Sequence, residues 1–282
     1  MKNLQFAGLA GSTVAIAALA FAGVAHAANM PMPASGPPPW VPQWAGYYIG
    51  VNGGGIEGQT RTGLSPFSNA APVGGLPPNQ PDLIAVGANS SFNNSGSIIG
   101  GQFGYMFNLK APNWFPWGYV AALEVSFDAM SLKGSNATAG IFPQAPGNTF
   151  TFNRSVGADW LLLLTERSGF DWGNWFPYLT AGFAVANLKY SNTFADAACT
   201  NCPLTGSFNK TALGLAWGAG LEWRWDNHWS LRGEYLYLWF ADDVTGQTFP
   251  TDPAQLGPGA SVFNHHASFG ENIGRGALSY RW

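Results

Sequence analysis

Strict alternation of apolar and polar side chains runs to the last residue of this chain, and it constrains the fold more than any other feature. Stepping back in twos from Trp282 gives Tyr280, Leu278, Gly276 and Gly274; the other phase reads Arg281, Ser279, Ala277 and Arg275. A period of two marks a strand with unlike faces, because successive side chains point to opposite sides of the pleat. The pattern also fills 213–224, where Leu213, Leu215, Trp217, Ala219, Leu221 and Trp223 alternate with Gly214, Ala216, Gly218, Gly220, Glu222 and Arg224. It returns at 229–240 and at 119–128, where Tyr119, Ala121, Leu123, Val125 and Phe127 oppose Val120, Ala122, Glu124, Ser126 and Asp128. One face is large and apolar, and the other is small until it turns charged. A last strand that ends on an aromatic is built to pair rather than to fray.

Counting such segments predicts eight strands, at about 45–58, 95–109, 117–130, 152–167, 176–190, 209–225, 229–241 and 267–282. The connections after the first, third, fifth and seventh read as long and rich in Gly, Pro, Asn and Ser, with 59–94 the clearest case. Those after the second, fourth and sixth read as short and share a sequence. Asn113-Trp114-Phe115-Pro116 recurs as Asn174-Trp175-Phe176-Pro177, and the third carries Asn227-His228-Trp229. Ten of the 13 tryptophans lie at those turns, at the entry to the first strand or at the chain end: 40, 44, 114, 117, 172, 175, 223, 225, 229 and 282. An up-and-down meander brings all of them to one rim. A one-sided tryptophan belt suits a membrane–water interface, since indole has an apolar body and a polar N–H.

An eight-stranded meander is compatible with a soluble barrel or a membrane barrel, and the alternation discriminates. In a soluble barrel the large apolar face fills the interior and leaves Gly-Ala-Gly-Gly facing water. In a membrane barrel the apolar face meets lipid, and a narrow lumen takes the small residues and a few charges. Only 10% of residues are charged, well below the ~25% of a soluble domain, which favours the membrane. The expected fold is therefore all-β: a closed eight-stranded antiparallel up-and-down transmembrane barrel over 44–282. With 12 Lys+Arg and a net charge of −3, no basic patch for nucleic acid can form.

The start of the chain reads as an export signal. Lys2, an apolar stretch over 4–24 and Ala25-His26-Ala27 predict a signal peptide over 1–27. The proline-rich stretch 28–43 cannot pair in a sheet or continue a helix and reads as an extended leader.

Three stretches carry a family resemblance: Trp44 to Gly55 (WAGYYIGVNGGG), Gly218 to Tyr237 (GAGLEWRWDNHWSLRGEYLY), and Asn272 to Trp282 (NIGRGALSYRW). They resemble the small outer-membrane β-barrel proteins of Gram-negative bacteria, including opacity-type surface proteins and major outer-membrane antigens of alphaproteobacteria. The resemblance implies residence in the cell outer membrane, with both termini periplasmic and the long loops extracellular. It implies a structural or surface-interaction role, with outer-membrane lipids and the barrel-assembly machinery as partners. Leu278, Tyr280 and Trp282 would be the assembly signal, with Trp282 standing where phenylalanine is usual.

The inward phases collect Glu124, Asp128, Asp159, Glu222, Arg224, Arg232, Glu234, Glu271, Arg275 and Arg281. Buried charges persist only when paired, so this set reads first as a salt-bridge network that plugs the lumen, and second as the selectivity lining of a narrow porin. Cys199 and Cys202 are the only cysteines; an oxidising compartment favours a disulfide between them. His265 and His266 would point to opposite faces of a strand and make a poor chelate. Haem binding is reported for parts of the family and is carried only as that. A lipid-A-modifying enzyme would need a serine and an acid beside a histidine, and the sequence assigns neither. No catalytic, cofactor or metal residue is predicted, and no extracellular ligand is named.

Overall fold

The computed structural model describes residues 44–66, 89–109, 118–142, 145–197, 199–240, 244–250 and 263–282. The expected signal segment, the leader, the middle of 59–94 and the turn at 113–116 lie outside them.

Among the described residues nine strands follow in order: β1 (Gly46–Pro66), β2 (Ser90–Leu109), β3 (Gly118–Phe142), β4 (Ala145–Asp171), β5 (Trp175–Asp196), β6 (Cys199–Arg224), β7 (Trp229–Phe240), β8 (Val244–Pro250) and β9 (Phe263–Arg281). Each pairs antiparallel with its predecessor up to β7, and β9 pairs with β1, so the sheet closes on itself. The closing ladder sets Ile49 against Tyr280 and Val51 against Leu278. The terminal alternation is thus the seam of the ring, whose closure removes the unpaired edge that lipid cannot hydrate.

Eight strand positions go around the ring, because β7 and β8 share one. β7 lies between β6 and β9 near the end that carries Trp44 and Trp282, and β8 lies between the same two strands at the far end. The ladder with β9 shifts between them. Trp239 faces Gly270 and Val244 faces Ala267, so five residues advance on one strand against three on the other.

Two expectations need correction. The connections after β3 and β5 are two residues each rather than long: β3 and β4, of 25 and 27 residues, end at Phe142 and begin at Ala145, and β5 and β6, of 22 and 26, end at Asp196 and begin at Cys199. Crossing a bilayer takes about 10 residues per strand, so these hairpins continue well past the membrane. Trp44, expected in the rim belt, is wholly buried inside the ring. Gly46, at φ 141°, a conformation side-chain-bearing residues avoid, follows it and leads the chain into β1.

The large apolar face points outward. Ile99 and Leu179 are each 69% exposed, and Val51, Leu123, Phe127, Leu213 and Leu231 are exposed as well. Trp172, Trp175, Trp223, Trp225, Trp229 and Trp282 ring the terminal end on the outside. Inside, side chains fill the barrel in layers. Trp44, Tyr48, Met106, Phe176 and Tyr178 pack across the terminal end, and a larger apolar layer that includes Ile56, Ile98, Leu161, Leu188, Leu238 and Phe269 fills the far half. Eight strands leave a bore just wide enough for such filling. Crowding sets the glycines of the inner face: at Gly104 a Cβ would collide with the Tyr48 hydroxyl, and at Gly220 with that of Tyr178.

Candidate functional site: the charged lumen

Between the two apolar layers lies a belt of ionised side chains, centred on Glu124 of β3. Its carboxylate accepts from Arg232 of β7 through Nη1 at 2.7 Å and Nη2 at 3.0 Å. It also accepts from the Tyr48 hydroxyl of β1 at 2.7 Å, with Arg167 of β4 at 3.4 Å and Arg275 of β9 at 3.5 Å. One carboxylate therefore ties together five strand positions of the ring. The alternation makes this arrangement, because each of these residues sits on the inward phase of its strand.

The belt extends from that centre. Arg167 donates to Glu222 at 2.8 Å and to the Tyr48 hydroxyl at 2.6 Å. Arg275 donates to Glu234 at 2.6 Å and lies 3.7 Å from Asp128. Ser230 donates to Glu222 at 2.6 Å, the Tyr178 hydroxyl to Glu234 at 2.9 Å, and Arg232 to Gln102 at 2.6 Å. Arg281 lies 3.5 Å from Glu222, and its guanidinium and that of Arg224 stack on Trp44 at 4.9 and 4.7 Å. Trp44 in turn donates its indole N–H to Asp171 at 3.1 Å. Buried ions need this density of partners, because each loses its hydration.

Of the ten residues expected in the lumen, nine are buried there: Glu124, Asp128, Glu222, Arg224, Arg232, Glu234, Glu271, Arg275 and Arg281. Glu271 stands apart from the belt, held by Asn94 at 2.6 Å, which also donates to Thr60. Asp159 is a correction. It lies on the outer wall, where it pairs with Lys189. The ladder slips between Ala158 and Leu161, and this bulge turns Asp159 and Trp160 both outward.

Sequence reasoning missed Arg167 and Arg154, both buried inside the ring. Shortly before Arg167, residues 161–164 of β4 are all leucine, so both faces are apolar there and the alternation offers no contrast from which to read its direction. Arg154 belongs to a second polar layer at the far end, beyond the apolar band, with Tyr190, Asn192 and His265. There Asn192 lies 3.1 Å from His265 Nε2, and the imidazole packs on Tyr190 and Phe208. Burial, with the Arg154 charge second, pushes this imidazole down to about 3 and keeps it neutral. His266 faces the other way, over Gly63. The side chains of Cys199 and Cys202 lie outside the described residues.

The chain is similar in sequence to known outer-membrane proteins. The 31 kDa outer-membrane immunogenic proteins of Brucella melitensis biotype 1 and Brucella suis biovar 1 are each 28% identical over 195 residues, 69% of this chain and 70% of theirs. Among solved structures, the outer membrane protein OprG from Pseudomonas aeruginosa aligns at 16% identity and TM-score 0.32, over 83% of this chain and 96% of its own. The outer membrane protease OmpT from Escherichia coli aligns at 7% and 0.38, over 84% and 97%. The model of the outer membrane protein beta-barrel domain matches residues 14–251. A closed antiparallel ring with an apolar outer wall, an aromatic rim and a matching family model make this chain a member of the outer membrane protein beta-barrel family, resident in the cell outer membrane.

Proposed function

We propose that this outer-membrane barrel conducts no solute and serves a structural or surface-interaction role, with its lumen plugged. The observation that carries the reading is Glu124, which gathers Arg167, Arg232, Arg275 and Tyr48 across the bore. The charged lumen residues are at most 6% exposed, so water has no continuous lining to follow past them. A narrow porin needs those groups hydrated, and hydration would make their mutual pairing worth little. The two long hairpins, β3–β4 and β5–β6, are the surface available to partners outside the cell. The relatives in Brucella are named as immunogenic, which suits a chain with exposed hairpins. Proteoliposome swelling tests the reading. Vesicles carrying the pure protein should stay osmotically intact in small sugars and amino acids, whereas rapid swelling would support the porin.

A further inference from the structure

On the outer wall, across β7, β9, β1 and β2, the described residues form a cleft of about 740 Å³. The ladders build it in rows. Trp239, Gly270, Gln59 and Asn93 lie side by side across the four strands, and Tyr237, Asn272, Glu57 and Ser95 make the next row. All belong to the outward phase of their strands. Gly270 carries no side chain, so bare backbone forms a floor between Trp239 and Gln59, and Arg61 of β1 borders the recess.

Its depth places the cleft at a membrane interface. Trp229, Tyr280 and Ile49 form the row at the terminal rim, and the row of Tyr237, Asn272 and Glu57 is eight residues further along each strand. At roughly 2.5 Å of depth per tilted residue, that separation is about 20 Å, and Arg61 lies about 30 Å from the rim. An outer-membrane barrel carries an apolar band about 25 Å tall between two aromatic girdles. Tyr235, Tyr237 and Trp239 therefore belong to the outer girdle, and the cleft opens among the headgroups of the outer leaflet.

The lining has a definite chemistry. Asn93, Gln59 and Asn272 present amides, which donate and accept as the hydroxyls of a sugar do. The Asn272 amide is held in place, because it accepts from the Tyr235 hydroxyl and donates to the Glu57 backbone carbonyl at 3.3 Å. The rings of Tyr237 and Trp239 offer apolar faces for a sugar ring, with polar tips for the wet side. Arg61, together with Lys133 opposite Ser95 on β3, outnumbers the Glu57 carboxylate and favours an anionic group. Towards the membrane centre the wall is bare. Tyr235, Gly274 and Gly55 make one row, and Gly233, Gly276 and Gly53 the next. A Cβ at Gly55, Gly233 or Gly274 would meet nothing within 4 Å, so crowding within the chain does not account for these glycines. Glycine inside a strand also marks where a ligand lies close to the backbone.

We propose that this cleft binds an anionic glycolipid of the outer leaflet, with the sugar headgroup among Tyr237, Trp239, Asn272 and Arg61 and an acyl chain along the glycine rows. The site is on the outer wall and stands whether or not the lumen conducts.

The test titrates the delipidated protein in mild detergent and reads bound lipid by native mass spectrometry. The probe is lipid A, an acylated and phosphorylated glucosamine disaccharide; the controls are phosphatidylglycerol and the deacylated disaccharide. Lipid A should bind at least tenfold more tightly than either control. Trp239→Ala and Asn272→Ala should each weaken it by about tenfold, the scale of one good polar or stacking contact, and Gly270→Leu should abolish it by filling the floor. Leu179→Ala, on the opposite wall, should leave it unchanged. Heat-modifiable migration on gels certifies folding of each variant, and the two alanine variants decide the matter should Gly270→Leu fail to assemble. No binding of lipid A, equal binding of phosphatidylglycerol, equal binding of the deacylated disaccharide, or lipid A binding indifferent to the cleft variants would each overturn the proposal.

Discussion

Replacing Arg232 by alanine removes three hydrogen bonds from the centre of the lumen: two from the guanidinium to Glu124, at 2.7 and 3.0 Å, and one to Gln102 at 2.6 Å. Breaking a buried ion pair from one side costs about 3–5 kcal/mol, because the remaining charge stays desolvated. Glu124 keeps Arg167 at 3.4 Å and Arg275 at 3.5 Å, so its charge is only partly stranded. That places the expected loss at the low end, about 3 kcal/mol. Removing both charges with Arg232→Met and Glu124→Gln should recover most of it, since a neutral pair of similar volume leaves no orphaned ion. Urea unfolding in lipid vesicles, followed by tryptophan fluorescence and heat-modifiable migration, measures the three proteins side by side. If Arg232→Ala lies within about 0.5 kcal/mol of the parent, the scale of a surface change, these groups are hydrated and the plugged lumen is wrong.

Gly104→Ala should destabilise by about 1–3 kcal/mol, because its Cβ meets Tyr48 and the Leu123 carbonyl. Gly274→Ala meets nothing within 4 Å and should be neutral or stabilising by about 0.5–1 kcal/mol; equal effects in urea titrations would count against the packed lumen. At the β6–β7 turn, Asp226 accepts from the Trp229 and His228 backbone N–H groups, which hold its carboxyl below the usual range. A depressed folded pKa contributes stability above the unfolded value near 3.9 and loses it as pH falls through the folded one. Amide exchange at the turn should therefore quicken only in strong acid and become independent of acid in Asp226→Ala; unchanged acid dependence would refute the cap. The native protein should show no free thiol before reduction, because Cys199 and Cys202 occupy an exported hairpin; labelling of both without reductant refutes this.

The strands are legible in the sequence wherever one face is large and the other small. From 213 to 224 the phase of every residue can be read, and Glu222 and Arg224 are buried as that phase requires. Legibility fails where contrast fails. Beyond the membrane both faces of β1 are polar, Gln59 and Arg61 outside and Thr60 and Thr62 inside, so its continuation to Pro66 reads as loop. On β4 the run Trp160 to Leu164 is apolar on both faces, which hides the direction of Arg167 and of Glu166. Asp159 shows a different limit. Counting in twos assumes an unbroken ladder, and a bulge between Ala158 and Leu161 reverses the phase with no residue to announce it. Trp44 has a neighbourhood that looks like the rim, while the turn at Gly46 places it inside.

Single-channel recording of the pure protein in a planar bilayer tests the central claim, that paired charges fill the lumen. The account predicts no steady conductance from the parent barrel and brief, small openings from Arg232→Ala. Stable conductance from the parent, with Arg232→Ala merely shifting selectivity toward cations, would contradict it.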